Sequence, residues 1–486
     1  MSMTPAPVGS LDRGREARFI EGSRHRVNVP GKSGDGRCGP RAFDLFFSLV
    51  FDMMHKCFKV MLPCLLALLP AGCGDGSEED AAPKAEDLRH MAVEARKAGY
   101  HEEADRQLKQ AAELGDARAM YEWGCILLDG SAATQQNVSE AVTWLNKASA
   151  AGMRAADVRL GDCADQGIGM QKDPQKALTW YRQAADAGEA RAQVMMGLAC
   201  RYGYASQKRD ATAAAEWFRK AATQGDASAL YYLAECYDRG EGLKADQRQA
   251  VALATKAAQA GNARALVFLG KASLLGYGGV PKDQQKAAEF FAKAAQSGDA
   301  DALCLMGRLY AGGTGVSKDL ERAAGYFAEA AKRGHAEALC CLGVCFDSGA
   351  GVSKNSARAA ALWKLAAQRG NADALLYLGR CVELGVGAQK DPALACKLYA
   401  QSAQRGNVDA LAEAGRCLIN GVGGKTDAAR GRELLERAAK GGSALAQKLL
   451  KEKKPGEAAP ASEDEAEEVV EEVVEEVAED VAEEAP

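Results

Sequence analysis

The stretch Asp299-Ala-Asp-Ala-Leu-Cys-Leu-Met-Gly-Arg-Leu-Tyr-Ala-Gly-Gly-Thr-Gly-Val-Ser-Lys-Asp-Leu-Glu-Arg-Ala-Ala-Gly-Tyr-Phe-Ala-Glu-Ala-Ala-Lys-Arg-Gly334 reads as two helices joined by a turn. Ala302, Leu305, Met306, Leu309 and Tyr310 recur at spacings of three and four, which puts them on one helical face. Gly313 follows the last turn, where a left-handed C-cap suits glycine best. Val316 is expected to bury the turn, and Asp319 to N-cap the second helix. That helix carries Ala323, Tyr326, Phe327, Ala330 and Ala331 on one face and is expected to end at Gly334. Small residues such as Gly307 and Ala302 let the two helices approach closely, with Tyr326 and Phe327 filling the gap to neighbouring pairs. A single pair leaves apolar surface on both sides, so such pairs must stack.

Outward from this stretch the unit repeats. The motif Ala-Ala-x-x-Gly and close variants place glycine at 115, 152, 188, 225, 261, 298, 334, 370, 406 and 442, at intervals of 36 or 37. Nine repeats therefore fill residues 116–442. A second glycine recurs at 130, 167, 203, 240, 276, 313, 349, 385 and 421, and an alanine at 119, 156, 192, 229, 265, 302, 338, 374 and 410. Residues 85–115 read as an N-terminal capping hairpin and 443–454 as a C-terminal capping helix, at the ends where an array needs polar outer faces. The expected fold class is all-α: an α-solenoid, coiled as a right-handed superhelix of nine helix–turn–helix repeats, with disordered N- and C-terminal segments.

Three blocks carry a family resemblance. They are Leu-Gly-x-x-Tyr/Phe; Gly-x-Gly-Val-x-x-Asp, as in Gly313, Gly315, Val316 and Asp319; and Lys-Ala-x-x-Trp/Phe-Tyr/Phe-x-x-Ala-Ala, as in Lys176, Ala177, Trp180, Tyr181, Ala184 and Ala185. The pattern resembles the Sel1-like repeat, a longer relative of the tetratricopeptide repeat. Ala234 departs from it by replacing the first-helix glycine of the fourth repeat. The loops at 131–137 and 204–209 lose Gly-x-Gly-Val, so those two turns are expected to be remodelled. The resemblance implies an interaction scaffold with a protein partner, no enzymatic activity and no cofactor.

The flanks differ in kind. Residues 1–53 are irregular and rich in Arg and Gly. Gly31-Lys32-Ser33 fails as a phosphate loop because Arg26 stands where that loop needs glycine. Residues 54–73 resemble a lipoprotein-type signal peptide: Lys56 and Lys59 precede an apolar run from Val60 to Ala71, and Ala71-Gly72-Cys73 matches the lipobox, although Pro70 stands where Leu is usual. On that reading translation starts at Met53 or Met54, Cys73 is lipidated, residues 74–84 are a linker, and the address is the bacterial cell envelope, periplasm- or surface-facing. Without cleavage the chain is cytoplasmic. Residues 455–486 form an acidic low-complexity tail: from 456 onward they hold 14 Asp and Glu with no Lys or Arg. That leaves the rest of the chain mildly basic, too thinly for a nucleic-acid footprint.

Hydrophobic residues at 47% exclude a wholly disordered chain, and only 5 His weaken most hydrolase readings. His90, His101 and His335 have no metal-ligand spacing around them and read as surface residues. No His-Glu-x-x-His, Gly-x-Ser-x-Gly or Ser-x-x-Lys occurs. The last absence bears on an alternative that the resemblance raises, an envelope enzyme of the cysteine-rich, β-lactamase-like type. Cys163, Cys236, Cys345, Cys381 and Cys417 share one repeat position, roughly 9 Å apart between adjacent repeats and beyond disulfide reach. They read as small apolar core residues. The Cys-x7-Cys spacing of the cysteine-rich members is absent, and Cys381 with Cys396 is the one bridge worth testing.

By analogy with tetratricopeptide grooves, the concave face is lined by first helices, at positions six before, one after and four after the repeat glycine. The candidate groove residues are Tyr121, Arg191, Tyr202, Tyr231, Asp238, Arg264, Lys271, Arg308, Asp347, Arg380, Glu383 and Arg416. They suit a charged, extended peptide or polymer, with the tyrosines as flat contacts. The same charges could instead pair with each other on a solvated face. The expected function is a non-catalytic, lipid-anchored envelope adaptor for a protein partner. A scaffold for exopolysaccharide export, tied to a cell-surface polysaccharide system, is the other alternative.

Overall fold

The computed structural model describes residues 84–424 and 426–452. The candidate signal at 54–73 with Cys73, and the acidic tail at 455–486, lie outside the described residues. Among the described residues there are 21 helices and no strand. Helices α1 (Ala85–Lys97) and α2 (His101–Glu113) precede the repeats. The first three repeats are α3 (Ala117–Asp129) with α4 (Val138–Ala150), α5 (Arg154–Gln166) with α6 (Pro174–Asp186), and α7 (Ala190–Tyr202) with α8 (Ala211–Thr223). The next three are α9 (Ala227–Arg239) with α10 (Gln247–Gln259), α11 (Ala263–Leu275) with α12 (Gln284–Gln296), and α13 (Ala300–Gly312) with α14 (Leu320–Lys332). The last three are α15 (Ala336–Ser348) with α16 (Ser356–Gln368), α17 (Ala372–Leu384) with α18 (Pro392–Gln404), and α19 (Val408–Asn420) with α20 (Ala428–Lys440); α21 (Ala444–Glu452) follows. The chain forms two compact units, one through Trp217 and one from Phe218 onward, the division falling inside α8. Within each, a helix packs most closely on its repeat partner and next on the first helix of the following repeat. This order is that of an all-α solenoid.

The helix ends follow from the residues that recur there. Asp319 caps α14 by accepting from the Arg322 N–H, and Asp299 caps α13 by accepting from Ala302. Second helices close one residue earlier than the sequence suggests. Arg333 keeps a right-handed conformation, and Gly334, at φ +79°, makes the reversal. Its N–H bonds to the Ala331 carbonyl at 2.8 Å, and the His335 N–H to Ala330 at 3.2 Å, a Schellman closure.

Two glycine columns set how closely the helices and repeats approach. The Phe327 ring lies over Gly307 so tightly that a Cβ there would sit 2.5 Å from it. Tyr181 covers Gly161, Phe291 covers Gly270, Trp363 covers Gly343 and Tyr399 covers Gly379 in the same way. Phe327 thus fills the space within its own repeat as well as joining Leu342 and Cys345 of the next. Tyr326 stacks on Tyr310, with ring centroids 5.5 Å apart. Where Ala234 replaces the glycine, the facing residue shrinks to Ala254, and both are fully buried in one cluster. Gly315, at φ +68°, lays the turn onto the previous repeat, where a Cβ would overlap the Gln284 carbonyl oxygen.

The turns at 131–137 and 204–209, which lack the second glycine of the motif, are remodelled. Ser131 and Thr134 donate to Asp105 Oδ2 at 2.6 and 2.8 Å, and Arg96 donates to its other oxygen at 2.8 Å, which satisfies a buried carboxylate. In the other turn Ala205 and Ser206 take positive φ, and Tyr204 donates to Asp165.

Candidate functional site

First helices carry a ladder of polar contacts that runs from one repeat to the next. In the first unit the Asp162 carboxylate accepts from Arg191 Nη2 and from Tyr181 Oη, both at 2.9 Å. Burial pushes the Asp162 carboxyl up, against the pull of Arg191. Arg159 reaches Asp129 at 3.1 Å. Tyr121 lies half-buried beside Cys125, and burial with that neighbour pushes its phenol up to about 12.

In the second unit Arg264 donates to Tyr232 Oη at 3.2 Å, and Arg308 donates to Glu337 at 2.8 Å. Lys271 is exposed and lies near Asp301. His335 is not a plain surface residue: its Nδ1 accepts from the Ala338 N–H at 3.1 Å, capping α15, while Nε2 lies 2.9 Å from Asp301. That hydrogen bond holds Asp301 below the usual carboxylate range and raises His335; protonation of Nδ1 would remove the cap acceptor, which opposes the rise. Asn407 and Ser443 bond back to Asp373 and Asp409 from the same place in later repeats, each at 2.6 Å.

The last two repeats hold the densest cluster. Arg416 donates to both oxygens of Glu383 at 2.7 Å and to Glu413 at 2.7 Å, while Arg380 reaches Glu413 at 3.1 Å. Burial pushes the Glu383 carboxyl up, but hydrogen bonds from Arg416 and from Tyr399 Oη outweigh it and hold it below the usual range.

The structure therefore places Arg191, Arg264, Arg308, Arg380, Glu383 and Arg416 in inter-repeat contacts rather than leaving them as unengaged groove charges. It does not bring the three tyrosines together as flat contacts. Tyr202 is 52% exposed, but Tyr121 is half-buried and Tyr231 donates its hydroxyl to Glu235 at 3.0 Å. Asp238 lines a separate shallow recess with Asp246, Arg248 and Gly278, and Asp347 sits half-buried near Cys381. Sequence reasoning missed the acceptors Asp162 and Glu413 and the capping role of His335. The signal was opposite charge 29 or 33 residues apart, as in Arg308 with Glu337 and Arg380 with Glu413.

None of the eleven described cysteines forms a disulfide. The bridge singled out from the sequence is not made: Cys381 packs with Trp363 and Leu375, and Cys396 packs with Cys417 instead. No group of three or more His, Cys, Asp or Glu among the described residues is arranged to hold a metal ion. No described helix is long and apolar enough to cross a membrane.

Among solved structures, the chain is similar to a protective antigen present in uropathogenic Escherichia coli strains, which displays an SLR fold, at 22% identity over 78% of this chain and 97% of that one, with a TM-score of 0.46. It is similar to a Sel1 repeat protein from Oxalobacter formigenes at 30% identity over 54% of this chain and 99% of that one, with a TM-score of 0.46. Helicobacter pylori cysteine rich protein B aligns at 26% identity over 25% of this chain and 91% of that one, with a TM-score of 0.21. No curated protein matches. The Sel1 repeat model matches nine times without a break in the array, at residues 117–153, 155–189, 190–226, 227–262, 263–299, 300–335, 336–371, 372–407 and 408–443. With helix pairs, glycine seats and inter-repeat contacts recurring over the same residues, the chain belongs to the Sel1 repeat family.

Proposed function

We propose that this protein is a lipid-anchored adaptor of the bacterial cell envelope that holds an extended, acidic segment of a protein partner along its first helices. Sel1 repeat arrays commonly serve as protein-interaction scaffolds, which supports the general part of this reading. The specific part rests on one row in the second unit. Lys271, Arg308, Val344 and Arg380 occupy the same position, one after the repeat glycine or its equivalent, in consecutive repeats. Lys271, Arg308 and Val344 are exposed, and Arg380 keeps 42% of its side-chain surface. A guanidinium has five N–H donors, and the described hydrogen bonds use one on Arg308 and two on Arg380. Donors remain for a second carboxylate. Neighbouring helices stand about 9–10 Å apart, and an extended peptide in the polyproline II conformation rises about 3.1 Å per residue and returns to the same face every third residue. Acidic side chains three residues apart therefore meet Lys271 and Arg308, an apolar one three residues further on meets Val344, and an acidic one after it meets Arg380.

The lipoprotein signal resemblance at 54–73 supports the envelope address, with Cys73 as the anchored residue. The test places a photo-crosslinking amino acid at Val344, and separately at exposed Lys364 on the second helix of the same repeat, in cells. An adduct formed from position 344, absent from 364 and lost on Arg308→Glu with Arg380→Glu supports the surface. Equal adducts from both positions, or one indifferent to charge reversal, rejects it. Membrane fractionation with and without Cys73→Ala tests the anchor independently: a chain that stays soluble in both removes it.

A further inference from the structure

Two pairs of thiols meet across repeat boundaries, and each has the same construction. Cys304 on α13 is 2% exposed and lies beside the thiol of half-buried Cys341 on α15. Both belong to one packed cluster with Leu342 and Cys345. Cys417 on α19 is 2% exposed and packs beside half-buried Cys396 on α18, again within one cluster. The Cys396 Sγ lies 3.1 Å from the Val422 carbonyl, so this thiol donates to the turn. Each half-buried sulfur also lies beside an inter-repeat ion pair: Arg308 with Glu337 next to Cys341, and Arg416 with Glu383 next to Cys396. The sequence columns hid this, because the paired cysteines occupy different repeat positions.

We propose that Cys304–Cys341 and Cys396–Cys417 are two oxidisable dithiol pairs whose disulfides staple repeat six to repeat seven and repeat eight to repeat nine. The half-buried member is the attacking thiol and the fully buried member resolves it. The neighbouring thiol, Cys304 beside Cys341 and Cys417 beside Cys396, holds each below the usual thiol range, and the nearby arginine adds to this. With a small disulfide such as oxidised glutathione, the Cys341 thiolate attacks one sulfur, forms a mixed disulfide and expels one glutathione thiolate. That thiolate takes up the Cys304 proton. The Cys304 thiolate then attacks Cys341 Sγ and expels the second glutathione. Two protein thiols are oxidised and one small disulfide is reduced to two thiols. Cys396 and Cys417 follow the same course. The chain's other buried thiols are placed differently: burial, the largest influence, pushes Cys163 and Cys381 up to about 11 and keeps them protonated.

The experiment treats the reduced full-length chain, without denaturant, with oxidised glutathione. It then blocks remaining thiols in acid, unfolds, digests and maps the peptides without reductant. The expected map contains Cys304 linked to Cys341 and Cys396 linked to Cys417, each two hydrogens lighter than the free peptides, with Cys163 and Cys381 still reduced. The thermal midpoint is expected to rise on oxidation and return on adding dithiothreitol, because each bridge constrains the unfolded chain. Cys304→Ser is expected to remove the first bridge only and leave one glutathione on Cys341. Four thiols that stay free, or links such as Cys381 to Cys396, overturn the proposal. The map of the unaltered chain decides this even where a variant folds poorly.

Discussion

At the scale of a residue, Gly307 shows how a column in a repeat becomes a physical requirement. The Phe327 ring occupies the place of a Cβ, so Gly307→Ala must push an aromatic ring in a filled core, at a cost of about 1–3 kcal/mol. Phe327→Ala alone empties the site and costs roughly 3–5 kcal/mol. In that emptied background the added methyl at 307 meets no ring and fills part of the void, so the alanine there becomes neutral or stabilising. The fourth repeat already carries this pairing as Ala234 with Ala254. Urea denaturation of the two single variants and the double variant measures the coupling. An equal cost of Gly307→Ala in both backgrounds defeats the explanation.

At the scale of elements, the caps and glycine seats were legible in the sequence because one cause acts in every repeat. Asp319 and its equivalents recur where a second helix must begin, and Gly313 where a first helix must stop. Mutual pairing of these charges was open from the sequence, but the partner each one takes was not assigned there: Arg308 reaches 29 residues ahead and Arg416 reaches 33 residues back. Those reaches depend on which rotamer finds a carboxylate, and no column records that. The thiol pairs were hidden for the same reason. The α17–α18–α19 cluster gives a test with a sign. Glu383 has a lowered carboxyl, so its contribution is present above the ordinary glutamate range and is lost as pH falls through its lower folded value. Arg416→Ala removes the cation bridging Glu383 and Glu413 and is expected to cost about 1–3 kcal/mol near neutral pH. Below that lower folded value the two proteins converge. Thermal melts of both from neutral pH into acid check this; a gap that stays constant across the range refutes the ion-pair account.

At the scale of the whole molecule, an array held by neighbour contacts should tolerate loss of an entire unit and not of half a unit. Deleting residues 336–371 joins His335 to Ala372, and the contacts that α14 made with α15 find equivalents one repeat on. Leu378 stands where Leu342 stood, and Cys381 where Cys345 stood. Asp373 takes the place of Glu337 opposite Arg308, and Gly387 takes that of Gly351 against the Leu320 carbonyl. Phe346 and Val352 give way to the smaller Val382 and Ala388, and Cys304 meets Tyr377 in place of Cys341. The shortened chain is therefore expected to fold with native-like helicity and to show a denaturant slope lower by roughly a ninth, since the slope follows the surface exposed on unfolding. Deleting residues 336–353 is the control. It sets α16 directly after α14, so a second helix meets a second helix and Trp363 loses Gly343, the seat it covers. Circular dichroism and urea titration of the two deletions separate the cases. If both fold equally well, or neither folds, neighbour contacts between whole repeats are not what holds this chain together.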